Sequence, residues 1–154
     1  MIHLRPMTEE EFAALKAALY ASYPEDRARA IGGDATDEEI ENGRRQVDEL
    51  MGEGVQSKAH HYWKMVAPDA GAVGDLWVFV DEAKRRAFIY FIGTDAAYRG
   101  RGYGYQALEA LEAEVRPLGV TQIALNVFGD NDVARRLYER AGYQTQAISM
   151  AKDL

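Results

Sequence analysis

The chain contains no cysteine among its 154 residues. This absence excludes disulfide bonds, thiolate metal sites and a cysteine nucleophile. The chain also has no apolar run of membrane-spanning length, because its densest run, around Phe88 to Ile92, is only as long as a strand. Its N-terminus lacks a basic region followed by an apolar core, so no secretory signal is predicted. These absences favour a cytoplasmic protein without a membrane partner.

Positive charge is scarce as well. Eighteen Lys and Arg residues stand against 25 Asp and Glu residues, which gives a formal net charge of −7. A general affinity for nucleic acid is therefore not expected. The acidity is concentrated between Asp34 and Glu53, where eight acids face only two arginines. Such a segment is most often a solvated helix face.

Length and hydrophobic periodicity predict one domain over residues 1–154 with alternating helical and extended segments. The first helix should start at the capping box Thr8/Glu11 and end before Pro24, with a polar loop over Tyr23 to Asp34. A second helix should follow Thr36/Glu39, a third should span about Gly102 to Val115, and Asp130 can cap a fourth. Predicted strands are Ile2–Met7, His60–Val66, Asp75–Val80, Ala87–Thr94, Thr121–Phe128 and Tyr143–Leu154.

The most informative stretch is Ile89 to Leu111, which reads as a strand, a glycine-rich turn and the start of a helix. The first N–H groups of a helix have no internal partner and carry the positive end of the helix dipole, so they bind anions. Gly100, Gly102 and Gly104 would let a phosphate approach the backbone, and Arg99 and Arg101 add positive charge. This stretch predicts a phosphorylated ligand.

Two segments resemble the GNAT superfamily of acetyl-CoA-dependent N-acetyltransferases. Arg99, Gly102 and Gly104 match the family's Q/R-x-x-G-x-G/A signature. The segment from Asn131 to Tyr143, N-D-V-A-R-R-L-Y-E-R-A-G-Y, resembles the family's N-x-x-A-x-x-L-Y-E-x-x-G-F/Y pattern. The resemblance is clear over about residues 87–154, and the first half fits in its order of elements.

Other readings of the glycine-rich turn are an ordinary loop, a dinucleotide-binding fingerprint and a nucleotide P-loop. Gly102, Gly104 and Ala107 fit G-x-G-x-x-A, but Leu125 to Val127 stand where the fingerprint needs an acid. No lysine followed by Ser or Thr is present, so a P-loop is not supported. The pyrophosphate of acetyl-CoA is the favoured ligand.

The resemblance implies an α/β (α+β) fold with a mixed, mostly antiparallel sheet of about six to seven strands and four flanking helices. The implied order is β-α-α-β-β-β-α-β-α-β, and the short tail leaves open whether one or two strands end the sheet. It also implies that acetyl-CoA binds as a co-substrate. Separately, no metal site is expected, because His60 and His61 lie on opposite faces of a predicted strand beside Trp63. The implied cofactor-binding residues are Ile92, Thr94, Arg99, Gly100, Arg101, Gly102, Tyr103, Gly104, Asn131, Ala134 and Tyr138.

Tyr138 is the residue that the resemblance implies as general acid, because its hydroxyl can protonate the departing thiolate. Ordinary alternatives are core packing for Tyr138 and helix capping for Asn131. The general base stays open, because Phe88 stands where some family members have a glutamate. Tyr90 is the tentative candidate, through a guided water; Asn126 and Glu82 are weaker ones.

The predicted function is direct transfer of acetyl from acetyl-CoA to a primary amine in a ternary complex, since no cysteine can carry the acyl group. The alternative is a non-catalytic CoA-binding regulatory module. Acids between Asp34 and Glu53, if they border the acceptor pocket, would favour a polyamine, an amino sugar or a peptide amine. A homodimer through the last strand is plausible.

Overall fold

The computed structural model describes residues 1–31 and 33–154, apart from the side chains of residues 23, 25–27 and 29–31. These residues form five strands and four α-helices. The strands are β1 (His3–Pro6), β2 (His60–Ala67), β3 (Gly71–Asp81), β4 (Arg86–Thr94) and β5 (Gln122–Leu125). The helices are α1 (Glu9–Ile31), α2 (Asp37–Leu50), α3 (Tyr103–Val115) and α4 (Asp132–Arg140).

The strands form one sheet in the order β1-β2-β3-β4-β5. Neighbouring strands are antiparallel except β4 and β5, which are parallel because α3 carries the chain back across the sheet between them. This arrangement confirms the predicted mixed, mostly antiparallel sheet with four helices.

Each face of the sheet is buried against a different pair of helices. On the α3 face, strand residues such as Leu76, Val78 and Ile89 pack with Leu108 and Leu111 of α3, and Leu137 of α4 packs against the edge of this cluster. On the α1–α2 face, a second cluster joins strand residues to both helices; its members are Met7, Phe12, Leu15, Leu19, Val47, Leu50, Met51, Val55, Tyr62, Trp77 and Phe91. The period-two alternation of the strands creates these two faces.

A β-bulge interrupts the alternation in β4. Trp77 lies opposite Phe91 and Val78 lies opposite Ile89, so Tyr90 is an extra residue in β4. As a result, Tyr90 and Phe91 both lie on the α1–α2 face: Phe91 packs into the cluster there and the Tyr90 ring stacks on Trp77.

The predicted capping boxes are confirmed for α1 and α2. The N–H of Glu11 donates to the Thr8 hydroxyl and the N–H of Thr8 donates to the Glu11 carboxylate, and Thr36 and Glu39 repeat this exchange. The bidentate ion pair with Arg5 and the hydrogen bond from Thr8 lower the pKa of Glu11 to about 2.

The prediction that α1 ends before Pro24 is wrong. The helix continues through Pro24 to Ile31, so most of the expected loop over Tyr23 to Asp34 is helical; residue 32 lies outside the described residues. A proline removes one backbone hydrogen bond and costs about 3 kcal/mol inside a helix. Alanine-rich and charged helix formers on both sides can continue the helix across that gap.

The predicted count of six to seven strands is also wrong, because the chain from Tyr143 to Leu154 forms no strand and is exposed beyond Tyr143. β5 ends at Leu125 rather than Phe128, and β3 begins at Gly71, earlier than expected. Within the described chain β5 pairs only with β4, so its outer edge is free but the tail does not pair with it. The homodimer stays a prediction.

Among the described residues, no helix is both long and apolar enough to cross a membrane.

Candidate functional site

The edge of β4 beyond Ile89 has no neighbouring strand within the described chain. β5 pairs with β4 only over Arg86 to Ile89, whereas β3 pairs with β4 as far as Thr94. The N–H of Asp95 donates to the Val73 carbonyl, so alternation turns the backbone groups of Ile92 and Thr94 away from β3. β4 therefore presents the N–H and carbonyl of Ile92 and the N–H of Thr94 at this edge, whereas the Thr94 carbonyl accepts a hydrogen bond from Arg99.

The glycine-rich loop leads directly from this edge into α3. Gly100 and Gly102 have φ of 77° and 82°, a region that glycine occupies without strain. A Cβ atom at either position would meet nothing within 4 Å, so the space beside both is open. Gly102 is the N-cap of α3 and supplies no side-chain acceptor, which leaves the first N–H groups of α3 for an anion.

Arg99 and Arg101 flank this loop and are exposed. Arg99 Nε donates to the Thr94 carbonyl oxygen at 3.1 Å, which holds the guanidinium beside the open end of β4. The Arg101 guanidinium lies 5.6 Å from the centre of the Tyr98 ring. Both charges therefore lie close to the N-terminus of α3.

Tyr103 and Gly104 were also predicted to bind the cofactor, but both are in contact with other parts of the fold. The Tyr103 ring is buried and its hydroxyl lies 3.3 Å from Asp69 Oδ1. A Cβ atom on Gly104 would lie 3.0 Å from Cδ2 of Leu137 in α4. Gly104 thus allows α3 and α4 to pack closely, and its backbone N–H remains part of the first turn of α3.

Asn131 and Ala134 form the start of α4. The Asn131 side chain is the N-cap and accepts a hydrogen bond from the Ala134 N–H at 3.2 Å. The prediction that Asp130 provides the cap is therefore wrong. Capping, the ordinary alternative for Asn131, is what its side chain does in the structure.

Tyr138 lies seven residues further along α4 and is partly buried beside the α3-face cluster. Burial raises the pKa of its hydroxyl above the ordinary value. Its ring lies 5.9 Å from that of Tyr143, whose buried hydroxyl has no hydrogen-bond partner among the described residues. The raised pKa keeps Tyr138 protonated at neutral pH, although it also makes the hydroxyl a weaker acid.

Two of the three candidates for the base come together. Tyr90 and Asn126 line a pocket of about 380 Å³ with Phe88 and Ile89, at the point where β4 and β5 separate. Glu82 does not line this pocket, because it lies in the exposed turn between β3 and β4. No group of three or more His, Cys, Asp or Glu that could hold a metal lies among the described residues.

Apart from Tyr90, the aromatic side chains around this pocket were not predicted as functional. His60, Phe79, Phe88 and Tyr90 form a partly exposed surface on the α1–α2 face, here called the aromatic platform. It rests on Trp77, whose indole N–H donates to His60 Nδ1 at 3.0 Å. The signal in the sequence was the pairing of aromatic residues two apart in three strands, but only the register shows that they meet.

Comparisons with known proteins agree with this geometry. Residues 34–143 match the acetyltransferase (GNAT) family. The chain is 35% identical to the uncharacterized N-acetyltransferase YycN of Bacillus subtilis (strain 168), covering 99% of each chain. It is 32% identical to the uncharacterized N-acetyltransferase YdgE of the same strain, covering 98% of this chain and 97% of YdgE. The crystal structure of YycN superposes with a TM-score of 0.91, covering 100% of this chain and 99% of the other.

Proposed function

Because the chain belongs to the acetyltransferase (GNAT) family, we propose that it transfers acetyl from acetyl-CoA directly to a primary amine. The observation that carries this proposal is the continuous open surface from the free edge of β4, through Gly100 and Gly102, to the uncapped start of α3. Such a surface offers a peptide-like edge and an anion site in succession, which matches a ligand that joins amide groups to a pyrophosphate.

Acetyl-CoA would lie along this surface. The outward backbone groups of Ile92 and Thr94 would hydrogen-bond the pantetheine arm as an added strand. The first N–H groups of α3, with Arg99 and Arg101, would hold the pyrophosphate. This arrangement directs the thioester toward the point where β5 diverges from β4, beside Tyr90.

The chemistry is attack by the neutral amine on the thioester carbonyl. A carbon–nitrogen bond forms, the carbon–sulfur bond breaks, and the departing thiolate takes a proton from the Tyr138 hydroxyl. The proton lost by the amine nitrogen passes to water and in the end restores Tyr138. Because burial raises the pKa of Tyr138 above its ordinary value, the hydroxyl stays protonated at neutral pH and can supply this proton.

Phe88 occupies the position where some family members have a glutamate base, so no carboxylate base is present there. Catalysis would then depend on holding the amine against the thioester, an effect worth up to about 7–11 kcal/mol in well-oriented systems. Tyr90 and Asn126 share the pocket beside the reaction point and could orient a water that accepts the amine proton.

The Tyr138 hydroxyl can be tested by Tyr138→Phe. We expect this variant to lower kcat for amine-dependent thiol release by about 100-fold or more, the usual effect of losing a general acid. The affinity for acetyl-CoA, measured by calorimetry, should change little.

Tyr143→Phe is the matched control, because it removes a hydroxyl that lies nearby, is buried and has no partner among the described residues. It should leave kcat close to that of the parent chain. Equal rates for Tyr138→Phe and the parent chain would exclude Tyr138 as the acid.

A further inference from the structure

The α1–α2 face of the sheet is only partly covered. Side chains of α1 and α2 pack over Tyr62, Trp77 and Phe91, which belong to the buried cluster on this face. The aromatic platform extends beyond that cluster, and 39% of the Tyr90 surface remains exposed. Large aromatic side chains left partly exposed on a sheet face are a common feature of ligand sites.

The platform has one continuous and rigid geometry. The Tyr90 ring stacks on Trp77, with centroids 4.7 Å apart and planes at 23°, so Trp77 covers part of Tyr90 while the rest of the ring is partly exposed. The Phe88 and Tyr90 rings meet edge to face, with centroids 4.9 Å apart. The His60 ring lies between those of Phe79 and Trp77. The bulge in β4 puts Tyr90 into this position.

The hydrogen bond between Trp77 and His60 defines the polarity of the platform. Since the indole N–H can only donate, His60 Nδ1 must be unprotonated, and the proton of the neutral ring lies on Nε2. Protonating the ring would put two donors against each other. His60 therefore belongs to the platform as a neutral aromatic ring and not as a cation that repels an amine.

The side chains that line the pocket beside the platform carry only two polar groups. Phe88 and Ile89 are apolar, and the polar groups are the Tyr90 hydroxyl and the Asn126 amide. A ligand rich in hydroxyl groups would lose water there without gaining enough hydrogen bonds, at about 1–3 kcal/mol for each unpaired group. An apolar ligand body has no such penalty.

The charge near the platform suits an amine. Glu53 is exposed and lies between α2 and β2, two residues before Val55, which packs against the buried cluster on this face, so its carboxylate lies at this end of the sheet. An incoming ammonium would be attracted by Glu53 and by the exposed part of the Tyr90 ring. Burial of the amine deeper in the pocket, between Phe88 and Ile89, would then favour loss of its proton, which attack on a thioester requires.

We propose that the aromatic platform binds the acceptor and selects a primary amine carried on a flat aromatic or apolar body, in preference to a polyamine or an amino sugar. The inference rests on the proposed function, because the platform borders the point where the thioester would lie. Phe88, which stands in place of a base, then serves as a specificity residue.

The test compares 2-phenylethylamine, spermidine and glucosamine as acceptors for the full chain. We expect kcat/KM for 2-phenylethylamine to exceed that for the other two by about tenfold or more, the discrimination that apolar pockets usually give. Calorimetry with CoA present should detect binding of 2-phenylethylamine directly, whatever the turnover rate.

Two variants make the assignment specific. Phe88→Leu keeps the apolar volume but removes the ring, and should weaken 2-phenylethylamine binding by about three- to tenfold, with unchanged affinity for acetyl-CoA. Leu118→Ala changes an exposed apolar residue after α3, and should alter neither value.

The possible failures differ. If the parent chain does not bind acetyl-CoA, the proposed function and this inference are both overturned. Three other outcomes would overturn this inference alone. The chain could bind acetyl-CoA but not 2-phenylethylamine, or it could prefer spermidine or glucosamine. The Phe88→Leu variant could also bind 2-phenylethylamine as tightly as the parent chain.

Discussion

Gly102 and Gly104 lie two residues apart in one motif, yet their surroundings assign them different roles. Gly102 has a positive φ and open space on its Cβ side, whereas Gly104 lies against Leu137 of α4. Gly102 therefore keeps the approach to the start of α3 free, and Gly104 keeps the two helices close. Glycine therefore allows ligand access at position 102 and close helix packing at position 104.

A double-mutant cycle separates these roles. We expect Gly104→Ala to be less favourable for stability in the parent chain than in Leu137→Ala, by about 0.5–3 kcal/mol, because the two side chains compete for the same space. Denaturant unfolding of the four chains measures this coupling.

Gly102→Ala serves as the control in the same cycle. Its cost arises from the positive φ, about 1 kcal/mol, and should be the same with either residue at position 137. Coupling of Gly102, or additivity of Gly104 with Leu137, would contradict the assignment.

At the scale of elements, the pairing of β2 with β3 brings His60 to Trp77 and sets how the fold responds to pH. Burial lowers the pKa of His60, and of His61 on the other face, below the ordinary value of about 6.5. The unfolded chain therefore binds protons first as the pH falls. Stability from this source is complete above about pH 6.5 and decreases below it.

We expect the free energy of unfolding to decrease between pH 7 and pH 5, before Glu11 begins to titrate. His60→Asn keeps an acceptor near Trp77 but removes the titrating group, so it should reduce the slope. His3→Asn, a change at an exposed histidine in β1, should leave the slope as it is. Equal slopes for the parent chain and His60→Asn would contradict the role of His60.

At the scale of the whole molecule, local patterns predicted most of the elements. The capping boxes at Thr8 and Thr36, the periodicity of α3 and the glycine-rich loop are signals carried by neighbouring residues, and each was confirmed. The path of α1 through Pro24 and the absence of a strand in the tail were not predicted, because continuation of a helix and pairing of a strand depend on more than the local sequence.

The candidate site divides in the same way. Ile92, Thr94, Gly100 and Gly102 could be placed from the sequence because they follow one another along a single strand and loop. The aromatic platform could not, since it needs the register of three strands and a bulge that shifts Tyr90 onto one face. The contact of Gly104 with Leu137 could not be predicted either, because it depends on how α3 and α4 pack and not on the spacing of residues in the sequence.

The measurement that most directly tests the central claim is thiol release from acetyl-CoA by the purified full chain, with and without a primary amine, alongside calorimetric binding of acetyl-CoA. We predict saturable binding and amine-dependent release, with binding abolished in Gly102→Leu, whose side chain would occupy the open space beside α3. Binding without release for any primary amine would instead indicate a non-catalytic CoA-binding module. Absence of acetyl-CoA binding by the parent chain would contradict the claim itself.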